Sequence, residues 1–227
     1  MAKLGPGCLL ILLLLGATTH AQESSETKKE IWPEVDVYIP LNERFRLLVE
    51  AGSEKAGENR DSLEGDVAAY LDMFFRKRIT LRAGYRRGFS LDDNPFSEHR
   101  VVFDQAFHKP LPHKFAFSDR NRQELRWLSG DFSTRFRNRG MIEKTFLAGK
   151  KSLVPYGSGE IFYDSRFSTF NRVRVTVGTE LVFAKREFWL MNLRRQRVLD
   201  FYYLWQADSR SQPRRLHVIG VKFEIHF

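Results

Sequence analysis

The final stretch of the chain constrains the fold more than any other. From His217 the residues alternate: His217, Ile219, Val221, Phe223, Ile225 and Phe227 share one face, and Val218, Gly220, Lys222, Glu224 and His226 the other. A period of two belongs to a β-strand, whose successive side chains leave on opposite sides. A strand greasy on one face and polar on the other borders two different media. The same pattern recurs upstream. Val173, Val175, Val177, Leu181 and Phe183 oppose Arg172, Arg174, Thr176 and Glu180. Val67, Ala69, Leu71, Met73 and Phe75 oppose Glu64, Asp66, Tyr70 and Asp72. Ile79, Leu81, Ala83 and Tyr85 oppose Thr80, Arg82, Gly84 and Arg86. Val35, Val37, Ile39 and Leu41 form an earlier strand, joined through a tight turn at Asn42-Glu43 to Phe45, Leu47 and Val49.

The middle of the chain keeps step while carrying more charge. Arg120, Arg122, Glu124 and Arg126 alternate with Asn121, Gln123, Leu125 and Trp127, and Gly130-Asp131 reads as a hairpin turn. Further strands are expected over Glu98 to His108, Val154 to Asp164 and Val198 to Gln206. The stretch Arg186 to Arg194 reads either as a further strand or as a long turn. The count is therefore ten to twelve, with twelve preferred because bacterial single-chain barrels use even numbers.

Alternation alone does not say which face is inside. In a soluble sandwich the apolar face packs inward and the outer positions favour Lys, Glu, Thr and Ser. Here the polar face is arginine-rich with carboxylates interleaved, which suits an enclosed lumen where guanidinium and carboxylate pair bidentately. Aromatic residues make up 14% of the chain, and Phe leads them. That excess is expected where side chains face lipid or form interfacial girdles. The expected fold is an all-β, antiparallel, up-and-down transmembrane β-barrel. A soluble periplasmic sandwich or lipocalin-like binding protein is the alternative.

The start of the chain has the plan of a secretory signal peptide. Lys3 supplies the positive region, Cys8 to Leu15 the apolar run and Thr19-His20-Ala21 the cleavage context. Cleavage is expected after Ala21. Cys8 opens the apolar run, whereas an acylated cysteine follows one, so a lipid anchor is disfavoured. It is also the only cysteine, so the mature chain has no disulfide or thiolate chemistry. No second apolar run reaches the roughly 18 residues of a spanning helix. The expected organisation is a signal peptide over 1–21, a short flexible mature N-terminus over 22–31 and a barrel domain over 32–227.

Lysine and arginine number 37 against 28 aspartates and glutamates. A basic chain invites nucleic acid as a partner, but an exported one meets lipid phosphates and its own carboxylates instead. The expected location is the bacterial outer membrane. Its lipid and, during biogenesis, the barrel-assembly machinery are the expected partners, and any envelope-complex partner is unassigned. The assembly signal is Phe223, Ile225 and the closing aromatic Phe227.

The candidate site is the row Arg122, Glu124, Arg126, Arg135, Arg137, Arg139, Glu160, Arg172, Arg174 and Glu180. Two readings stand side by side. These residues line a basic, anion-favouring pore, or they fill the lumen, with the arginines satisfied by Glu124, Glu160, Glu180 and Asp104. No cofactor motif is present. His99, His108, His113, His217 and His226 lack metal-ligand spacing, so no metal is expected. A lipid-modifying enzyme needs a nucleophile and base with an orienting carboxylate. Ser165, Ser168, His99 and Glu98 are of the right types, but no elbow or glycine-rich loop marks them, and no enzymatic activity is expected.

Several features together resemble the DUF 2490 family of outer-membrane barrel-like proteins, common in Bacteroidetes. They are Trp32, the triplet Glu98-His99-Arg100, the run Arg120 to Arg126 followed by Arg135-Phe136-Arg137, the pair Glu160 and Phe162, Arg172 through Gly178, and the last aromatic strand. The resemblance implies the barrel fold and the outer-membrane location, and it implies no chemistry.

Overall fold

The computed structural model describes residues 27–55, 63–75, 78–91, 93, 97–184, 186–188, 193–210 and 213–227. The leader expected over 1–21, its cleavage point and residues 22–26 lie outside these. The strands are β1 (Thr27–Pro40), β2 (Phe45–Lys55), β3 (Leu63–Phe75), β4 (Ile79–Ser90), β5 (Ser97–Pro110), β6 (Phe115–Leu128), β7 (Asp131–Lys144), β8 (Phe146–Ala148), β9 (Lys151–Asp164), β10 (Thr169–Val182), β11 (Arg186–Phe188), β12 (Leu193–Asp208) and β13 (Arg215–His226). Since β1 starts at Thr27, residues 27–31 belong to the wall and not to a flexible arm ahead of Trp32.

Each long strand pairs with its neighbours in sequence, and β9–β10 and β13–β1 contacts complete a closed ring of eleven strands. The short strands β8 and β11 add to the rim, along β9 and β12. The ring lies within the ten to twelve strands expected, and twelve is reached only by including a rim strand. An odd meander brings its first and last strands to the seam pointing the same way. Accordingly β1 and β13 pair in parallel, from Thr27 opposite Arg215 to Tyr38 opposite His226. Every other ring seam is antiparallel. Closure leaves no unpaired edge in the wall. It also sends Thr27 and Phe227 to opposite mouths.

Local chemistry sets the corners. The side-chain oxygen of Asn42 accepts hydrogen bonds from the backbone N–H of Arg44 at 2.8 Å and of Phe45 at 2.9 Å, which holds the β1–β2 turn. Between β6 and β7, Ser129 and Gly130 both take positive φ (51° and 99°), the twist that a two-residue hairpin needs and glycine adopts freely.

The faces are sorted as an inside-out protein. Val173 and Val175 are 42% and 45% exposed, while Arg122 and Arg135 are 6% and 7% exposed. Exposed Val67, Leu71, Phe103, Ile161, Val177 and Phe201 extend the outer apolar surface around the ring. Aromatics gather towards the mouths. Trp127 sits 5.3 Å from Phe132, and Tyr163 5.4 Å from Phe170, near one rim. Exposed Phe75, Phe107, Phe117 and Phe146 lie near the other. Among the described residues, buried apolar side chains cluster inside in two patches: Tyr38, Leu48, Ala68, Tyr70 and Val102, and Leu204, Leu216 and Val218 with Trp32 and Tyr202 against them.

Candidate lumen site

A polar residue on the inner face of a closed barrel has only its neighbours and trapped solvent to satisfy it, so the interior is built as shared pairs. Asp72 (β3) accepts from Arg46 Nη2 at 2.6 Å and from Arg82 Nε at 2.6 Å. Asp104 (β5) takes Arg122 bidentately, both bonds 2.7 Å. Glu98 bonds Arg126 Nε at 2.6 Å and also pairs with Arg100. Glu124 joins Arg135 (2.6 Å) and Arg137 (3.0 Å). Glu160 joins Arg137 and Arg120, each at 3.0 Å. Arg86 reaches Glu50 at 2.8 Å and Asp66 at 2.7 Å, and Arg172 reaches Asp208 at 2.7 Å. Burying one such ion alone costs several kcal/mol, and short charge-assisted bonds to two partners offset it. The buried ring of Phe162 adds a π-face among the cations, with Arg137 at 4.7 Å, Arg174 at 5.0 Å, Arg172 at 5.6 Å and Arg135 at 5.8 Å from its centroid.

All ten residues of the candidate row sit on the inner face of their strands. Glu180 is the exception to the expected pairing. It lies between Asp200 of β12 and Val154 of β9 in the register and makes no ion pair among the described residues, because neither cross-strand neighbour is a cation. Phe223, Ile225 and Phe227 occupy the outward face. Phe223 and Ile225 lie opposite Val35 and Val37 at the closing seam, and the Phe227 N–H donates to Tyr38 O at 3.0 Å.

The charge is distributed unevenly. On the side of β6, β7 and β10, Arg139 makes no ion pair among the described residues, and Arg174 donates to the neutral Gln206 Oε1 at 2.7 Å. The Nε atoms of Arg120 and Arg139 are buried without hydrogen-bond partners. On the side of β12, β13, β1 and β2, carboxylates outnumber cations. The Lys222 ammonium lies 3.3 Å from Glu224, 3.8 Å from Glu34 and 3.9 Å from Asp36. Asp36 Oδ1 is buried and unpartnered. Asp200 accepts from the Tyr156 hydroxyl at 3.0 and 3.1 Å. Oxygens of Glu34, Asp36 and Glu50 fall within 4.8 Å of one another, a grouping that Lys222 already serves with a cation. Both sides line one cavity of about 620 Å³.

The acidic side is the part that sequence reasoning missed. Its signal was present, since Glu34 and Asp36 alternate with Val35 and Val37, and Asp200 with Phe201. Nothing in the sequence says that these strands lie across from the arginine-rich ones. That follows from the closing register.

The residues of nucleophile and base type are not brought together. Glu98 points inward to its arginines. His99 points outward to the Tyr85 hydroxyl of the adjacent strand. Ser165 Oγ accepts from the Thr134 N–H at 2.8 Å in the β9–β10 turn, and Ser168 Oγ donates to Ser165 O. Of the histidines, His217 repeats the outward tyrosine pairing with Tyr203, and His226 stacks on Tyr38 with centroids 4.2 Å apart.

A family model described as "Protein of unknown function (DUF2490)" matches residues 29–217, from the start of β1 into β13. No curated protein matches, and neither does any solved structure.

Proposed function

Starting from a chain that belongs to the DUF2490 family, we propose that it is an outer-membrane β-barrel whose charged lumen passes small solutes, anions among them. The observation that carries this is the inverted polarity around a cavity. An apolar outer surface covering the ring far exceeds the few hundred Å² that soluble monomers expose, while the ionic residues are enclosed. Strand length agrees. A 12-residue strand such as β13 spans about 40 Å at about 3.3 Å per residue, or about 30 Å once tilted by about 40°. That is enough for an outer apolar band of about 25 Å between girdles.

On this reading the lipid of the outer membrane is the partner of the apolar belt, and Phe223, Ile225 and Phe227 face the machinery that inserts the barrel. Two measurements test it. Expressed with its leader in a Gram-negative host, the protein is expected in the outer-membrane fraction and released only by detergent. Recovery in the soluble periplasm removes the reading. Purified and added to planar bilayers in KCl, it is expected to give discrete conductance steps. A silent bilayer containing folded protein would leave a plugged, structural barrel.

A further inference from the structure

The geometry points to a zwitterionic solute as the ligand of this lumen: a small molecule with an anionic group held by Arg120 and Arg139 and an ammonium group held by Glu34, Asp36 and Asp200. The inference names the solute class for the cavity and so rests on the reading that the lumen admits small solutes.

The argument starts from where unsatisfied charge sits. Along β6 and β7 the arginines outnumber their carboxylates. Glu160 is shared between Arg120 and Arg137, Glu124 is already bound to Arg135 and Arg137, and Arg139 makes no ion pair among the described residues. A guanidinium cannot shed its proton to relieve the cost of enclosure. The buried, unpartnered Nε atoms of Arg120 and Arg139 are therefore donors awaiting an anion. Around β1 the imbalance is reversed. Glu34 and Asp36 share the one ammonium of Lys222, Asp36 Oδ1 has no partner, and Asp200 has only a phenol.

Ring order then sets Glu34 and Asp36 on β1 across from Arg120 and Arg139, with Asp200 on β12 between the two walls. β6 and β7 each lie five strands from β1, reached in opposite directions round the ring. In a ring of eleven that is as far across as any strand can be. All five residues line the same cavity of about 620 Å³. The hydrogen bonds of the lumen run between adjacent or next-but-one strands: Arg120 to Glu160, Arg86 to Glu50, Tyr156 to Asp200. Among the described residues none joins β1 to β6 or β7, so these walls meet only through the space between them. Low-dielectric walls of opposite sign concentrate the field in that gap. A solute carrying one charge satisfies one wall and is repelled by the other. A solute carrying both, spaced by a few carbon–carbon bonds, satisfies both.

The test uses the full-length mature chain folded in detergent micelles, with folding checked by circular dichroism. Isothermal titration is run with 4-aminobutyrate and with its two single-charge relatives, butyrate and butylamine. The expected result is 4-aminobutyrate binding at least tenfold more tightly than either. Arg139→Gln and Asp36→Asn are each expected to reduce it to within threefold of the single-charge probes. Equal binding of butyrate and 4-aminobutyrate would overturn the proposal in favour of an anion site. Absence of binding by all three to folded protein would overturn it outright. Conductance in KCl is measured on the same preparation. A conducting barrel that does not discriminate refutes the zwitterion alone, and a silent barrel refutes the conduit.

Discussion

At the scale of single residues, stability depends on which groups cannot be replaced by water. Asp72 is fully buried and holds both Arg46 and Arg82. Asp72→Ala takes from Arg46 and Arg82 the carboxylate they share, leaving Arg82 only Asp104 on the adjacent strand. The expected cost is about 3–5 kcal/mol, the range for breaking a buried pair by removing one partner, read as a lowered urea midpoint in tryptophan fluorescence. Asp72→Leu combined with Arg46→Met and Arg82→Met is expected to recover much of that loss, because the charges go together. A midpoint unmoved by the single change would mean that the lumen is wet enough to solvate the arginines. A second fixed point is Gly84, whose neighbour Tyr70 lies over it. A Cβ there would stand 2.3 Å from Ala69 O and 2.4 Å from Tyr70 Cδ1. Gly84→Ala must displace backbone as well as ring, at about 1–3 kcal/mol. Gly157, with nothing within 4 Å of an added Cβ, is the matched control and is expected to change stability by much less.

At the scale of the element, the long strands were legible because they carry the same two-residue code, and the code also announced polarity. The alternation at Val173 to Val177 and at Phe223 to Phe227 gave both the strand and its face. Strand ends were less legible. β1 begins at Thr27 although Thr27 to Glu30 is wholly polar, since its pairing with β13 extends past the apolar residues. The stretch after Phe183 was ambiguous for a similar reason. β11 pairs with the start of β12 at the rim, beyond the closed ring whose two faces impose the alternation. A closed barrel was legible, but the parallel sense of its closing seam was not, because parallel and antiparallel seams use the same side-chain period. The seam makes a sharp prediction. In a chain with Cys8→Ser, the pair Val35→Cys and Phe223→Cys occupies facing positions of the parallel register on the outer surface, within the Cα separation of about 4.4–6.8 Å that a disulfide spans. Mild oxidation of the folded barrel is expected to cross-link it, seen as a linked peptide by mass spectrometry. Val35→Cys with Glu224→Cys, whose side chains leave on opposite faces, is expected to stay reduced. The reverse outcome would mean a different seam.

At the scale of the whole molecule, the proposed membrane reading has the same chain satisfy two opposite solvents, and that requirement connects the outer belt to the lumen. An outer face of valine, leucine and phenylalanine is stable only against hydrocarbon, and an inner face of paired ions only where water is scarce and partners are fixed. Each excludes the other arrangement, since turning the wall over by one register step would put every inward arginine on the outer face, which on the proposed reading meets lipid. The consequence is measurable at Val175, which lies mid-strand in β10, exposed on the outer face and flanked by the inward Arg174 and Thr176. Val175→Arg places a guanidinium at the middle of the belt, and the expected penalty is about 2–4 kcal/mol for folding into phosphatidylcholine vesicles. The same substitution at Leu147, exposed on rim strand β8, is expected to cost about 0–1 kcal/mol, because a charge near the interface reaches water. Folding free energies from reversible denaturant titration in vesicles separate the two. A belt in contact with lipid gives a steep difference between mid-strand and rim. Equal small effects at both positions would mean that the apolar face meets water or another protein, and the membrane assignment would fall with it.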